Sequence, residues 1–283
     1  MINIKNISII ALIILLIGIV GSIFTFKFMS KAEQISEEKV IDDDRFTNIN
    51  IITGNAKVEI VPTKDSTTTV ELSGKAKKYT FEANVEGNTL DIILKEKQWK
   101  LVHFDFFSTS LSLKVFVPEK QYDAIQIENN NGRVQAENLE AKEMDVETDN
   151  GRIELKNIES STVKAEANNG RIELKSIKAL SVAVKADNGK IILEDVDGKL
   201  SGRTNNGSIS LVTNNLKRQI DFATDNGSIK IETDKEPENA TIDAKVDNGK
   251  VNIFGNSDKS AIFGNGEHTI KLKTNNGSIT VTK

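Results

Sequence analysis

The chain has no cysteine among its 283 residues. This excludes disulfide bonds, thiolate metal sites, cysteine nucleophiles and a lipidated N-terminal cysteine. Proline occurs only three times, so the chain is not a proline-rich stalk. The formal net charge of -4 lacks the basic excess that nucleic acid binding requires. Composition therefore indicates an ordinary globular or repeat protein that does not bind nucleic acid.

Aromatic residues are also scarce, at 5% of the chain. Ile, Val, Thr, Asn and Gly are prominent instead, which is typical of an all-β protein with many tight turns. Several aromatic residues lie close together, and we interpret this cluster as a plug at the end of a core. A loop that contacts a partner or lipid is the alternative. The cluster consists of Trp99, His103, Phe104, Phe106 and Phe107.

The N-terminus holds a long apolar run. Residues 6–26 carry no charge, and at ~1.5 Å per residue a helix of this length crosses the roughly 30 Å of a bilayer core. We therefore predict a transmembrane anchor over residues 1–29; a cleaved signal peptide, with its shorter apolar region, is the alternative. The orientation of the anchor is barely decided by its flanking charges, since Lys5 lies before the apolar run and Lys27 and Lys31 lie after it. The cysteine-free, β-rich remainder favours an extracytoplasmic domain, held off the membrane by an acidic spacer over residues 30–45.

The rest of the chain is organised by an internal repeat. The dipeptide Asn-Gly recurs with successive glycines 19, 19, 19, 18, 20, 22 and 28 residues apart. Apolar residues alternate on both sides of each turn, which predicts two half-buried strands per repeat. Asn and Gly tolerate positive φ, so each dipeptide allows a sharp turn. The eight copies are Asn131-Gly132, Asn150-Gly151, Asn169-Gly170, Asn188-Gly189, Asn206-Gly207, Asn226-Gly227, Asn248-Gly249 and Asn276-Gly277.

Two architectures fit this pattern. A meander of eight β-hairpins is possible, because Asn-Gly is a strong hairpin signal. A parallel β-solenoid with rungs of ~19 residues is favoured, because equivalent side chains would stack ~4.8 Å apart and asparagines would form ladders. The residue two before each glycine supports stacking, since Asp and Asn alternate there through the regular copies and so keep carboxylates apart. We predict an irregular β cap and first rungs over residues 46–124 and the Asn-Gly solenoid over residues 125–283.

Two surfaces are candidates for binding. The residue after each glycine is basic in four successive repeats, at Arg133, Arg152, Arg171 and Lys190. Arginine forks suit phosphate and carboxylate, so an anionic cell-wall polymer is the hypothetical ligand. A solvated face neutralised by its own ion pairs is the alternative. The last strand, Ser278 to Thr282, is predicted to be an open edge through which copies of the chain could associate.

No catalytic, cofactor or metal site is predicted. His103 and His268 lie far apart in the sequence and have no spacing suited to zinc or to a catalytic triad. Calcium-binding nonapeptides and EF-hand spacing do not occur. Solenoids can nevertheless carry polysaccharide-active enzymes, so an enzyme of this kind is the alternative to a binding or self-associating scaffold. The longer unit from Gly249 to Gly277 is an inserted loop or partial turn, and it could equally be a binding loop.

The repeat also resembles a known family. The match rests on Val117-Pro118 leading into Ile125 and on the turns that follow, such as Thr148-Asp149-Asn150-Gly151-Arg152-Ile153 and Thr204-Asn205-Asn206-Gly207-Ser208-Ile209. With these features the chain is similar to a bacterial β-strand-repeat "putative adhesin" family of unknown function. With the predicted anchor, the layout is similar to LiaG-like members found near envelope-stress regulators. The resemblance implies a right-handed β-helix outside the membrane. We therefore expect a non-enzymatic envelope protein that acts as an adhesin-like binding or structural module. The resemblance implies no catalytic residues.

Overall fold

The computed structural model describes residues 11–22, 33–76, 78–96 and 110–283. Residues 11–22 form a helix. Within the described residues, no helix is both long and apolar enough to span a membrane. The rest of the predicted apolar span, residues 6–10 and 23–26, lies outside the described residues, as does the aromatic cluster at residues 99–107. The anchor and the aromatic plug therefore stay predictions.

The described residues beyond the helix form one fifteen-stranded sheet system. Its strands are β1 (Glu33–Ile41), β2 (Asn48–Thr63), β3 (Thr68–Ala76), β4 (Tyr79–Glu86), β5 (Thr89–Glu96), β6 (Ser110–Pro118), β7 (Gln121–Glu137), β8 (Glu140–Val196), β9 (Lys199–Asn206), β10 (Ile209–Thr213), β11 (Ile220–Asn226), β12 (Ile229–Thr233), β13 (Ala240–Ile253), β14 (Ser260–Phe263) and β15 (His268–Thr282).

Successive repeats stack in parallel and in register. Ile125 of β7 pairs with Met144 of β8, and Gly132 pairs with Gly151, so the offset equals one repeat. We call each such repeat a rung, with a first strand before its Asn-Gly turn and a second strand after it. The predicted all-β fold with stacked parallel rungs is confirmed, and the meander of hairpins is wrong. The right-handed sense implied by the resemblance stays a prediction.

The core lies between the first and second strands of the rungs. The alternating apolar positions point inward as predicted: Val163, Ala165 and Ala167 before one turn and Ile172 and Leu174 after it are all at most 2% exposed. Side chains between them face outward, which produces the alternating burial of β8. Because equivalent apolar residues lie on successive rungs, the core runs continuously along the stack.

Each regular rung turns a second time after its second strand. Asn138, Asn157, Ser176 and Asp195 occupy this corner with φ between 51° and 57°. Short polar side chains tolerate this left-handed conformation because they can hydrogen-bond locally. The apolar pattern did not predict this corner, although its period equals that of the Asn-Gly turns.

The N-terminal end combines parallel and antiparallel strands. The parallel first rung, β2, pairs with β7 on one side and with β5 and β6 on the other. Antiparallel strands then follow, with β4 on β5 and β3 on β6. The predicted acidic spacer is wrong over residues 33–41, which form β1 and pair with β3. Ile35 is buried there while the acidic side chains face solvent, and charges of this kind protect an exposed sheet edge.

The C-terminal rungs do not stack in chain order. Strand β15 lies between two earlier strands, with Ile229 of β12 paired to Ile279 and Val251 of β13 paired to the same residue from the other side. The rung of Asn276 therefore separates the rung of Asn226 from the rung of Asn248. The prediction that Ser278 to Thr282 is an open edge is wrong, because β13 covers it. Strand β14 and the edge-to-face pair of Phe254 and Phe263 then lie at this end of the stack.

Candidate functional site

A continuous ladder of asparagine side chains runs along the Asn-Gly turns. Each amide nitrogen donates to the side-chain oxygen of the asparagine one rung nearer the N-terminal end, at distances from 2.6 to 3.1 Å. The predicted ladder is confirmed, and it includes Asn55, which sequence analysis missed because glycine precedes that asparagine instead of following it. In spatial order the Asn ladder is Asn55, Asn131, Asn150, Asn169, Asn188, Asn206, Asn226, Asn276 and Asn248.

A second polar row runs beside the Asn ladder. Asn168 donates to Asp149 at 2.8 Å, Asn205 donates to Asp187 at 3.3 Å, and Asn275 continues the pattern on Asp225 at 3.0 Å. We call this the Asp/Asn row. Because β15 precedes β13 in space, amide and carboxylate alternate along all of it. Its members in spatial order are Asn130, Asp149, Asn168, Asp187, Asn205, Asp225, Asn275 and Asp247.

Two further rows place identical side chains on neighbouring rungs only because of the observed rung order. Thr224 donates to the carbonyl of Gly207 at 3.1 Å, and Thr274 makes the equivalent bond to Gly227 at 2.9 Å. The hydroxyl of Ser278 lies 3.1 Å from that of Ser228. In chain order the next rung would instead offer Val246 and Lys250 at these positions. Threonine and serine therefore stack on their own kind because the last rung is inserted.

The predicted basic residues form a row on the second strands. Arg133 and Arg152 pair in register, and Lys57 of β2 extends the row, since Val58 pairs with Val134. We call Lys57, Arg133, Arg152, Arg171 and Lys190 the cationic row. Lys57 was not predicted from the repeat because its rung lacks an Asn-Gly dipeptide. Repeat position alone thus places five cations in one row across successive second strands, next to the Asn-Gly turns.

A row of carboxylates lies beside the cationic row. Glu154 is 2.8 Å from Arg152, and Glu173 is 2.7 Å from Arg152 and 3.0 Å from Arg171. Arg133 contacts Glu154 only at 4.0 Å, so it is the loosest of the three arginines. Burial raises the pKa of Glu173, but hydrogen bonds from Arg152 and Arg171 outweigh it and bring this pKa below its ordinary 4.5. Much of the row's charge is therefore neutralised internally.

The outward faces of the first strands and of the second strands nevertheless carry opposite net charge. Outward positions of the second strands between residues 133 and 194 hold more cations than carboxylates, whereas those of the first strands between residues 126 and 187 are mostly acidic. The second-strand charges are Arg133, Arg152, Lys156, Arg171, Lys175 and Lys190 against Glu137, Glu154, Glu173 and Glu194. The first-strand charges are Lys164 and Lys185 against Glu128, Asp145, Glu147, Asp149, Glu166 and Asp187.

Lys164 organises the acidic face. Its amino group lies 2.6 Å from Glu147 and 3.3 Å from both Asp145 and Glu166, and these contacts raise its pKa. Burial raises the pKa of Asp145, although Lys164 opposes that shift. A shallow groove runs beside these residues, lined in part by Glu128, Asp149 and Asn168. In the described part of the chain, no three histidine or carboxylate side chains are grouped as metal ligands.

Fold and rows together define a parallel β-repeat protein whose rungs are joined by polar side-chain ladders. A model of the Toastrack DUF4097 family matches residues 46–282, and the chain belongs to this family. The resemblance noted from the repeat sequence is therefore confirmed. Curated proteins provide no match.

Several solved bacterial structures are distantly similar. One is a "putative cell adhesion protein" from Clostridium sporogenes, with 12% identity, a TM-score of 0.34, and coverage of 88% of this chain and 99% of that chain. Two are described as "putative adhesin", from Bacteroides fragilis with 13% identity and from Parabacteroides distasonis with 12%. Both have a TM-score of 0.40 and cover 88% of this chain and 98% of theirs. At these values the similarity supports no statement about ligand or activity.

Proposed function

We propose that the chain is a non-enzymatic, membrane-anchored module that lies outside the bacterial membrane and binds or scaffolds other envelope components. The observation that carries this proposal is the unbroken Asn ladder, which joins rung to rung from Asn55 to Asn248. Such a stack holds its outward side chains at fixed spacing, as a surface for recognising a repetitive partner requires. The uncharged run at residues 6–26 supports an anchor of membrane-spanning length.

The partner we propose is an anionic wall polymer bound along the cationic row. Five cations face only three carboxylates in the neighbouring row, Glu59, Glu154 and Glu173, so positive charge remains in excess. The acidic first-strand face would repel the same polymer, which leaves the second-strand face to make the contact. Because every group involved is at least partly exposed, the contact should be weak and sensitive to salt.

Co-sedimentation of the full-length protein, held in detergent, with purified cell walls tests this proposal. Binding should fall as salt rises and should be lost when the anionic polymers are stripped from the peptidoglycan. Replacing Arg133, Arg152 and Arg171 by glutamine should abolish it. The matched control replaces Lys185, Arg203 and Lys245, which removes the same charge from the first-strand face and should leave binding intact. An equal loss of binding in both variants would show a nonspecific charge effect. If the protein bound neither intact walls nor stripped peptidoglycan, the anionic polymer would be excluded as its partner.

Exposure outside the membrane is tested separately. Protease added to intact cells should digest the β-domain and leave cytoplasmic markers untouched. Full protection until the cells are lysed would place the domain on the other side and contradict the proposal.

A further inference from the structure

The Asn-Gly dipeptide is a reactive group as well as a turn. When the chain is free to move, the backbone nitrogen of the glycine attacks the side-chain carbonyl carbon of the asparagine. The new carbon–nitrogen bond closes a succinimide ring, and ammonia leaves. Water then opens the ring at either carbonyl and yields aspartate or isoaspartate. The net change consumes one water, releases one ammonia and converts an amide into a carboxylate.

Within the stack, this attack is blocked by hydrogen bonds between rungs. The Gly207 nitrogen donates to the carbonyl oxygen of Asn226 at 2.9 Å, and the Gly227 nitrogen donates to that of Asn276 at 2.9 Å. Each glycine nitrogen is thus held by the rung that follows it in space. The asparagine amide is held by the rung that precedes it, through the Asn ladder. Reaction at such a turn requires both contacts to open first.

The turn at Asn248 and Gly249 is different because its rung is outermost. Strand β13 pairs with β15 on one side; on the other, β14 pairs with Ala240 to Asp243, and Lys259 then contacts Ala244 and Val246. Within the described residues, no strand follows Gly249 to accept its N–H. Gly249 is exposed, whereas Gly277 in the adjacent rung is half-buried. Their φ angles are 152° and 155°, so the two turns share one backbone conformation and differ in what covers them.

We propose that Asn248 is a deamidation site, and that the other seven turns of the repeat are protected by the stack. The glycine nitrogen of this turn is free to react, and its asparagine is held only by the 3.1 Å bond to Asn276. The reaction is intrinsic to the chain and needs only water. Chain order does not reveal this site, since the outermost rung is the seventh repeat and not the last.

The modification would act on the end of the stack. Asn248 donates its amide hydrogen to the side-chain oxygen of Asn276. A carboxylate there has no hydrogen to donate, so two oxygens would face each other, and Asp247 would add a second negative charge beside them. The outermost rung would loosen, while the rungs below would keep their bonds. Deamidation would therefore weaken β13 selectively.

One other Asn-Gly dipeptide lies outside the repeat and must be distinguished. Asn265 and Gly266 precede β15, and the Gly266 nitrogen donates to the carbonyl of Phe263 at 3.1 Å within a turn. Its glycine nitrogen is therefore engaged, unlike that of Gly249. Peptide mapping resolves the two sites because they lie on different stretches of chain.

The test is incubation of the full-length protein in mildly alkaline buffer prepared with 18O-labelled water, followed by digestion and mass spectrometry. Asn248 should convert at least about tenfold faster than Asn276, which corresponds to an opening free energy of at least about 1.4 kcal/mol for the covered turn. In denaturant the two rates should converge, because no rung then protects either turn. Hydrogen exchange gives an independent measurement: the Gly249 amide should exchange rapidly, and those of Gly227 and Gly277 slowly.

Equal rates at Asn248 and Asn276 in the native protein would overturn the proposal. So would conversion confined to Asn265, or slow exchange at Gly249. As a check on the consequence, Asn248→Asp should speed amide exchange in β13 but leave β8 unchanged. Asn248→Gln retains an amide, and that variant should lose the rapid conversion at this turn.

Discussion

Asn275 donates a side-chain hydrogen bond to Asp225 at 3.0 Å, although fifty residues of chain separate them. The bond exists because β15 lies between β11, which carries Asp225, and β13. If the rungs stacked in chain order, Asp225 would instead face Asp247, and two carboxylates would repel across the rungs. The inserted order places an amide between them. Rung order at this end is therefore matched to side-chain chemistry in the Asp/Asn row and in the threonine and serine rows beside it.

An engineered disulfide tests the order of the last rungs directly. The chain has no cysteine, so Ser228→Cys with Ser278→Cys introduces a single possible pair. Their hydroxyls lie 3.1 Å apart, and the variant should oxidise readily. Closing a loop of this length should stabilise the fold by about 2–4 kcal/mol, measured by denaturant unfolding with and without reductant.

The matched control for that disulfide is Ser228→Cys with Lys250→Cys. Lys250 pairs with Ser278 and therefore lies two rungs from Ser228, roughly 9.6 Å away at the usual strand spacing. This pair should stay reduced. Oxidation of the control in place of the first pair would show that the rungs stack in chain order.

Asn275→Asp should destabilise the C-terminal rungs. The change removes a hydrogen bond to a carboxylate and leaves three acidic side chains in line, so a loss of about 1–2 kcal/mol is expected in denaturant unfolding. Asn130→Asp is the control, because Asn130 has an acidic neighbour, Asp149, on only one side. An equal loss in both variants would contradict the role assigned to the inserted rung.

Gly151→Ala should be strongly destabilising, by about 3 kcal/mol. A Cβ atom there would lie 1.8 Å from the carbonyl oxygen of Gly132, which belongs to the backbone of the preceding rung and cannot rotate away. Gly54→Ala is the control, since its Cβ would meet nothing within 4 Å. That variant should change stability by less than about 0.5 kcal/mol. Thermal melts of both proteins would measure the difference.

Acidification should affect two carboxylates with opposite sign. The folded-state pKa of Glu173 is below its ordinary 4.5, so its stabilising contribution is present above that value and is lost as pH falls through the folded pKa. Glu173→Gln should therefore lower stability at neutral pH and flatten the loss in acid. The pKa of Asp145 is raised, so its charged form opposes folding, and Asp145→Asn should leave neutral-pH stability equal or higher. Melting temperatures of both variants, measured from neutral to acidic pH, would check these expectations. If the two variants showed the same dependence on pH, the opposite effects assigned to Glu173 and Asp145 would be contradicted.

Much of the architecture could be predicted from the residues because it is periodic. Alternation of apolar residues around Val163 and Ile172 gave the strands, the rung length and the inward positions, each of which depends on neighbours a few residues away. The Asn ladder followed from the same period. Repeat position also predicted that Arg133, Arg152 and Arg171 share an edge. It did not predict how strongly Glu173 engages two of these arginines, because that contact depends on side-chain reach between rungs.

The sequence by itself determined the rungs, their period and which side chains face the core. Only the tertiary structure decided the order of the last rungs, the recruitment of residues 33–41 into the sheet, and the close approach between rungs that excludes a Cβ at Gly151. Asn-Gly was interpreted as a turn that tolerates positive φ, and six of the eight turn glycines have φ between 130° and 157°. At Gly151 glycine is required for a further reason, because the backbone of the preceding rung passes too close for a Cβ. Local patterns report the conformation of a segment, whereas these three features depend on contacts between segments far apart in the chain. Such contacts leave no periodic signal, and folding selects among them by packing and charge.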